Sequence, residues 1–230
     1  MASDSKARRQ LLKIFGLKFK VIPSNIKEQR SKGTYSYPRL VKTNALKKAR
    51  QVARRVKGGI IIGADTIVVQ QGRIYGKPKD LKGAKVMLRR LSRKPQWLYT
   101  GIAVVDKDKQ ITLTEYAKTK IFMDSLTDKQ IDAYFKQVSP LDKAGSFDIQ
   151  GRGAFFIRRI EGCFYNVVGL PINKLYLMLK KLGLFCCLLT FSLCILLSGC
   201  STEYNVVTRE EETYFYDTDK EVAMGQAIAK

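Results

Sequence analysis

An α/β fold, with a mixed, twisted sheet flanked by helices, is the class this sequence predicts, and two observations carry the reading. Stretches with helical spacing of apolar residues interleave with alternating or β-branched stretches, and no strict repeat orders them. The run Ile60-Ile61-Ile62-Gly63-Ala64-Asp65-Thr66-Ile67-Val68-Val69 is an almost wholly apolar strand pattern with one carboxylate in its middle.

The elements follow in order. Residues 6–15 read as a basic amphipathic helix with Leu11, Leu12 and Phe15 on one face. An extended piece, 19–23, ends at Pro23, and 29–37 form a polar loop. A second basic helix is expected over 40–56, stopped by Gly58-Gly59. After the Asp65 strand come a turn at Gln71-Gly72 and a short strand to Tyr75. Gly76-Lys77-Pro78-Lys79-Asp80 opens a helix over 81–91, and strands are expected at 98–105 and 111–123. Thr127 suits an N-cap, with Gln130 three residues on, for a helix reaching Gln137. The glycine-rich stretch 144–153 precedes a strand at 154–160, and Gly169-Leu170-Pro171 leads into a helix over 172–182.

Charge divides the chain. Residues 183–230 hold three of the 42 Lys and Arg and seven of the 20 Asp and Glu; residues 1–182 hold the other 39 and 13, so the two parts carry −4 and +26. A body that basic attracts polyanions such as nucleotides, nucleic acid or acidic lipid headgroups, and charge alone does not choose among them. The chain has no histidine. That excludes Ser-His-Asp and Cys-His catalysis and a His-Glu-x-x-His zinc site, and leaves acid–base work to Asp, Glu, Lys, Tyr, Cys or a metal-bound water. Of the five cysteines only Cys163 lies in the basic body, so neither a disulfide framework nor a Cys-x-x-Cys metal site is indicated. The body reads as reduced and cytoplasmic.

Asp65 is the first catalytic candidate. Burying a carboxylate among β-branched neighbours costs several kcal/mol unless it finds a partner or a metal, a cost most readily tolerated where the charge does chemistry. An aspartate hydrogen-bonded at a strand end would look the same in isolation. The surrounding motifs weigh against that reading.

Those motifs are Ala2-Ser3-Asp4-Ser5-Lys6-Ala7-Arg8-Arg9 with Leu11-Leu12, Glu28 after Pro23, Ala45-Leu46-Lys47-Lys48-Ala49, and Gly63-Ala64-Asp65-Thr66. Gly76-Lys77-Pro78, Asp142-Lys143-Ala144-Gly145, Ile149-Gln150-Gly151 and Gly169-Leu170-Pro171 complete the set. In this order and spacing, residues 2–182 resemble the Maf family of nucleoside triphosphate pyrophosphatases, with an inosine-triphosphatase-like fold. The resemblance implies hydrolysis of a nucleoside triphosphate to the monophosphate and pyrophosphate with a divalent cation, Mg or Mn. It implies Asp65 as proton acceptor, sharing the metal with Glu28, and Ser3, Arg8, Lys48, Lys77 and Lys143 as substrate-binding residues. An ordinary surface charge is the lesser alternative for any one of these lysines.

Thr66 and Gln150 match the branch acting on dTTP and UTP, and the branch acting on 7-methyl-GTP ranks second. Ala7 stands where the first branch has a pocket arginine, so all three positions bear on base preference. Family members carry a hydrophobic strand just ahead of the first motif, whereas here only Met1 precedes Ala2-Ser3. Either translation begins upstream or the sheet is expected to lack a strand. The partners implied are the nucleotide and a second copy in a homodimer, with no specific nucleic acid. A basic nucleic-acid-binding module is the non-enzymatic alternative, and it lacks a recognition motif or an aromatic stacking pattern.

The organisation expected is thus 1–182 as the nucleotide-processing domain, 183–200 as a hydrophobic signal or anchor-like helix, and 201–230 as an acidic, poorly ordered tail. The uncharged run 182–199 follows Lys180-Lys181 and associates with a membrane in this reading. Leu197-Ser198-Gly199-Cys200 resembles a bacterial lipobox, and Asp219-Lys220-Glu221-Val222-Ala223-Met224-Gly225 resembles the start of a lipoprotein metallopeptidase. The whole reads as a fusion of a cytoplasmic enzyme to the beginning of a lipoprotein.

Overall fold

The computed structural model describes residues 1–29, 33 and 35–185, and the backbone of 201–205 and 210–214. Met1–Leu182 forms one compact unit and Gly183–Lys230 another. Of the second, the described backbone includes an antiparallel pair, Ser201–Asn205 with Glu210–Tyr214. The lipobox-like Leu197-Ser198-Gly199-Cys200, the metallopeptidase-like piece and most of the apolar run lie outside the described residues. Among the described residues no helix is long and apolar enough to cross a membrane.

In the first unit α1 (Lys6–Lys13) starts at Ser5, whose hydroxyl accepts the Arg8 N–H. Helix α2 (Tyr37–Ala53) begins three residues ahead of the expected start, because Ser36 caps it and Pro38 suits its first turn. Leu40, Val41, Asn44, Ala45, Lys48, Ala49 and Val52 form its buried stripe. Strand β1 (Ile60–Gln70) turns through Gln71 and Gly72, both at positive φ, into β2 (Arg73–Tyr75). Asp80 caps α3 (Leu81–Leu91), and β3 (Gln96–Asp106) pairs with β4 (Ile111–Met123) in a long hairpin. Helix α4 (Asp128–Phe135) carries the expected capping box between Thr127 and Gln130.

Two short 3₁₀ turns, Ala144–Ser146 and Arg152–Phe155, occupy the glycine-rich stretch ahead of β5 (Ile157–Glu161). The five-residue α5 (Phe164–Val168), not expected from the sequence, ends at Gly169 with φ 114°, and α6 (Ile172–Lys181) follows Pro171.

The sheet order is β2-β1-β3-β4-β5, and every strand pair is antiparallel. This corrects the expectation of a mixed sheet. Its parallel component shrinks to the hydrogen bonds of Met1 on either side of Val21: the Met1 amino group donates to the Lys20 carbonyl at 2.7 Å, and Ile22 N–H donates to the Met1 carbonyl at 3.0 Å. Ala2 N–H reaches the Ile62 carbonyl at 2.7 Å, so these residues lie beside the first half of β1 but are too few to extend a ladder. Burial pushes the Met1 amino group below its ordinary pKa.

The strand register sorts side chains to two faces. Val68, Leu98, Ile121 and Met123 meet Leu88 and Leu91 of α3 and Ile131 and Tyr134 of α4 on one. Helix α2 lies on the other, where Leu40 and Val41 pack with Ile67 and Val69. Two glycines let it come close. A methyl group on Gly63 would overlap the Ala45 carbonyl, and one on Gly101 would overlap the Val41 carbonyl.

Candidate active site

Because Gly63, Asp65 and Gly101 lie on the same face of the sheet, the glycines that admit α2 also bring its buried stripe onto the carboxylate. Asp65 is 1% exposed. Its Oδ2 accepts from Asn44 Nδ2 at 2.8 Å and its Oδ1 accepts from Lys48 Nζ at 2.8 Å. Asn44 and Lys48 are one helical turn apart, the spacing that puts two side chains on one target. Lys48 Nζ also forms an ion pair with Glu28 Oε1, so one ammonium lies between two carboxylates. The Asn44 amide further donates to the Gln29 carbonyl at 2.9 Å and accepts the Gln29 N–H at 3.2 Å. Asn44 therefore fastens the segment carrying Glu28 to the strand carrying Asp65.

Between Ala2 at Ile62 and β2 at Val68, the edge of β1 facing away from β3 meets side chains. The Ala64 carbonyl there accepts from Lys48 Nζ at 3.2 Å and from Arg8 Nη1 at 3.0 Å. The two cations approach this carbonyl from helices on opposite faces of the sheet. Arg8 is buried and its guanidinium reaches at least four acceptors. Besides Ala64 these are Ser3 Oγ at 3.1 Å, Thr66 Oγ1 at 2.8 Å and the Gly169 carbonyl at 2.8 Å. The Gly169-Leu170-Pro171 turn thus presents a carbonyl to Arg8.

From Thr66 a polar seam continues across the sheet. Thr66 and Thr100 hydroxyls are 2.9 Å apart, and the Thr100 hydroxyl donates to the Asn166 carbonyl at 3.4 Å. Asn166 Nδ2 donates to Thr119 Oγ1 at 2.9 Å, while its Oδ1 is buried without a partner.

The geometry brings together Ser3, Arg8, Glu28, Lys48, Asp65 and Thr66 of the sequence candidates. Ala7 is half-buried in the first turn of α1, next to Arg8. Lys77 and Gln150 are exposed on loops. Lys143 is half-buried, and its ammonium donates to the Ser139 carbonyl at 2.9 Å and to Asp142 Oδ1 at 2.7 Å. A bond from Gly145 N–H to the Gly76 carbonyl, 3.1 Å, joins the loops that carry Lys77 and Lys143. Sequence reasoning missed Asn44 and Asn166, each 0% exposed. For Asn44, an asparagine inside a helical pattern was the available signal, since a buried side-chain amide must find partners; Asn166, in the five-residue α5, had none.

Among the described residues no group of three or more His, Cys, Asp or Glu side chains forms a metal cage. Glu28 and Asp65 are nevertheless an oxygen donor set of the kind Mg²⁺ uses when one or two carboxylates and substrate phosphates share it. Lys48, held by both, shows that the pair already gathers positive charge.

Comparison with known proteins completes the picture. The model of the Maf-like protein family matches residues 1–182. A protein of Bacillus anthracis named dTTP/UTP pyrophosphatase is 44% identical over 185 residues, covering 80% of this chain and 95% of that protein. One of the same name from Dictyoglomus turgidum is 40% identical over 183 residues, with the same coverage. A solved nucleoside-triphosphatase / dITP/XTP pyrophosphatase from Mycobacterium abscessus is 15% identical, covers 81% of this chain and 95% of that one, and superposes with a TM-score of only 0.35. With its family model matched over residues 1–182, this chain belongs to the Maf-like protein family.

Proposed function

We propose that the protein hydrolyses nucleoside triphosphates, dTTP and UTP foremost, to the monophosphate and pyrophosphate. The observation that carries this reading is the buried Asp65 carboxylate, bound by Asn44 and Lys48 beside Glu28, in a chain 44% identical to a dTTP/UTP pyrophosphatase.

In this reading water attacks the α-phosphorus. The new O–P bond forms as the bond to the bridging oxygen breaks, and its electron pair leaves with pyrophosphate. Asp65 takes the proton of the attacking water, and the low exposure around it keeps other water from competing. Glu28 and Asp65 would hold a divalent cation, Mg or Mn, which would supply positive charge against the phosphates and favour deprotonation of the attacking water. Lys48 exchanges one carboxylate for a phosphate oxygen when the triphosphate enters. Arg8, Lys77, Lys143 and the Ser3 loop supply further positive charge and donors, stabilising charge as it develops. Thr66, Gln150 and Ala7 bear on the base. The basic surface of residues 1–182 favours approach of a polyanion.

A panel of dTTP, UTP, the other canonical triphosphates and 7-methyl-GTP, read for pyrophosphate and monophosphate with Mg²⁺ and with chelator, tests this. Equal release of pyrophosphate and monophosphate, fastest for dTTP and UTP and lost with chelator, is expected. Release of inorganic phosphate in place of pyrophosphate would overturn the reaction, and preference for 7-methyl-GTP would overturn the substrate.

The uncharged run 182–199, most of which lies outside the described residues, is read as an anchor. It is 18 residues long, close to the ~20 that span a bilayer, and follows Lys180-Lys181. Fractionation of the whole chain beside a version ending at Leu182 decides this. Recovery of the whole chain in the detergent-free soluble fraction would rule the anchor out.

A further inference from the structure

On the face of the sheet that carries α2, Trp97 near the start of β3 packs by one part against the cluster of Leu40, Val41, Ile67 and Val69, and side chains of β4 and β5 continue the surface beyond it. The register puts Trp97 of β3 opposite Lys120 of β4, and Phe122 of β4 opposite Arg159 of β5. Lys118, two residues from Lys120, lies on the same face. The cations sit on the rings. Lys118 and Lys120 ammonium groups are 5.2 and 5.6 Å from the Trp97 centroid, and Lys120 and the Arg159 guanidinium are 5.1 and 4.1 Å from that of Phe122. Glu161, opposite Lys120, is the acidic member of the patch, and it already pairs with Arg159 at 2.9 Å. Lys118 and Arg159 are exposed, and Trp97, Lys120 and Phe122 half-buried.

We propose that this basic, aromatic sheet face binds single-stranded nucleic acid, with Lys118, Lys120 and Arg159 on its phosphates and Trp97 and Phe122 stacking its bases. Three cations against one paired carboxylate complement a polyanion and repel a second copy of the same face. Residues 1–182 carry +26 in all. Two flat rings on neighbouring strands add what a purely phosphate-binding surface lacks, faces on which any unpaired base can stack once Lys118, Lys120 and Arg159 move from the rings to the phosphates. A duplex hides those base faces. The patch reaches from β3 to the outer strand β5, whereas the Ala64 and Arg8 cluster lies along the opposite edge of β1. The two sites therefore stand apart, and the proposal does not depend on the hydrolytic reading.

Trp97 is the chain's single tryptophan, so its emission reports on the patch directly. The full chain is titrated with an oligodeoxyadenylate of about twelve nucleotides, within the range one such platform accommodates. Adenine is chosen so that the oligomer does not imitate dTTP or UTP. Quenching of Trp97 is expected, with log K falling against log salt at a slope of about −2, the value for three contacts on a single strand. The double variant Lys118→Gln and Lys120→Gln should bind at least about tenfold more weakly and lose about 1.4 from that slope, and Phe122→Ala should weaken binding about tenfold. Both should keep the circular dichroism spectrum and Tm of the parent, which certifies their fold.

Binding that is unchanged in folded variants, or equally tight for a duplex of the same length, would overturn the proposal. So would a Trp97 response to phosphatidylglycerol vesicles but not to the oligomer, which would make the patch a lipid surface. A concentration-dependent dimer abolished by the double variant would make it a subunit contact and overturn it too.

Discussion

Gly101 stands directly opposite Asp65 in the β1–β3 ladder, and its missing side chain is filled by the backbone of α2 at Val41 and Lys42. The catalytic candidate and the space that admits its partners are thus cross-strand neighbours. Asn44 and Lys48 reach the carboxylate because α2 sits this low on the sheet. Gly101→Ala should destabilise the protein by about 1–3 kcal/mol through overpacking. It should also lower kcat, since lifting α2 draws Asn44 and Lys48 off Asp65. Urea melts and initial rates at saturating nucleotide check both.

Replacing Asp65 by Asn preserves shape and removes the base. Lys48 still has Glu28 and the Ala64 carbonyl, so the fold should persist. The expected loss in pyrophosphate release is at least ~10²-fold. A variant that melts like the parent yet turns over normally would remove Asp65 from the chemistry.

Lys48→Met takes away the ammonium between Asp65 and Glu28, whose side chains are 2% and 23% exposed. Two neighbouring carboxylates without their cation should cost about 3–5 kcal/mol. Added Mg²⁺ should return part of it, and raise the Tm of this variant more than that of the parent. Thermal melts with Mg²⁺ and with chelator measure the difference.

Ala7→Arg adds a guanidinium beside Arg8, at the half-buried position in the first turn of α1. Selectivity for dTTP and UTP over purine triphosphates should sharpen, read as a ratio of kcat/KM values. An unchanged ratio would detach Ala7 from base recognition.

Tyr134 tests the support of the Gln150 loop. Its hydroxyl accepts the Asp148 N–H at 3.0 Å; burial first, and the Asp148 charge next, push its pKa up from the ordinary tyrosine value. A folded-state pKa raised in this way contributes stability that is complete below the unfolded value, about 10, and lost as pH rises beyond it. Tyr134→Phe should cost about 1 kcal/mol at neutral pH, where the Asp148 N–H loses its acceptor. The variant's stability should also fall less steeply above about pH 10. Urea midpoints across that range give the comparison.

Elements with strong local signals were legible in the sequence. Helix α3 and strand β4 have the ends that periodicity and flanking residues predicted, Leu81–Leu91 and Ile111–Met123, and Thr127 with Gln130 makes the capping box that opens α4. The burial of Asp65 followed from its β-branched neighbours, because an apolar strand carries any residue at its centre inside with it. Antiparallel pairing throughout was not legible, since strand direction is set by partners far along the chain. Nor was α5, whose five residues are too few for a periodic signal and are ended by Gly169. Asn44 looked like one more polar residue on a basic helix; only the close approach at Gly63 and Gly101 turns it into a ligand of Asp65. The same holds for Trp97, Lys118, Lys120, Phe122 and Arg159, scattered over three strands and showing no stacking pattern until register aligns them. Local spacing determines which side of an element a residue takes, but distances between elements depend on how closely backbones pack, and that is decided by tertiary structure.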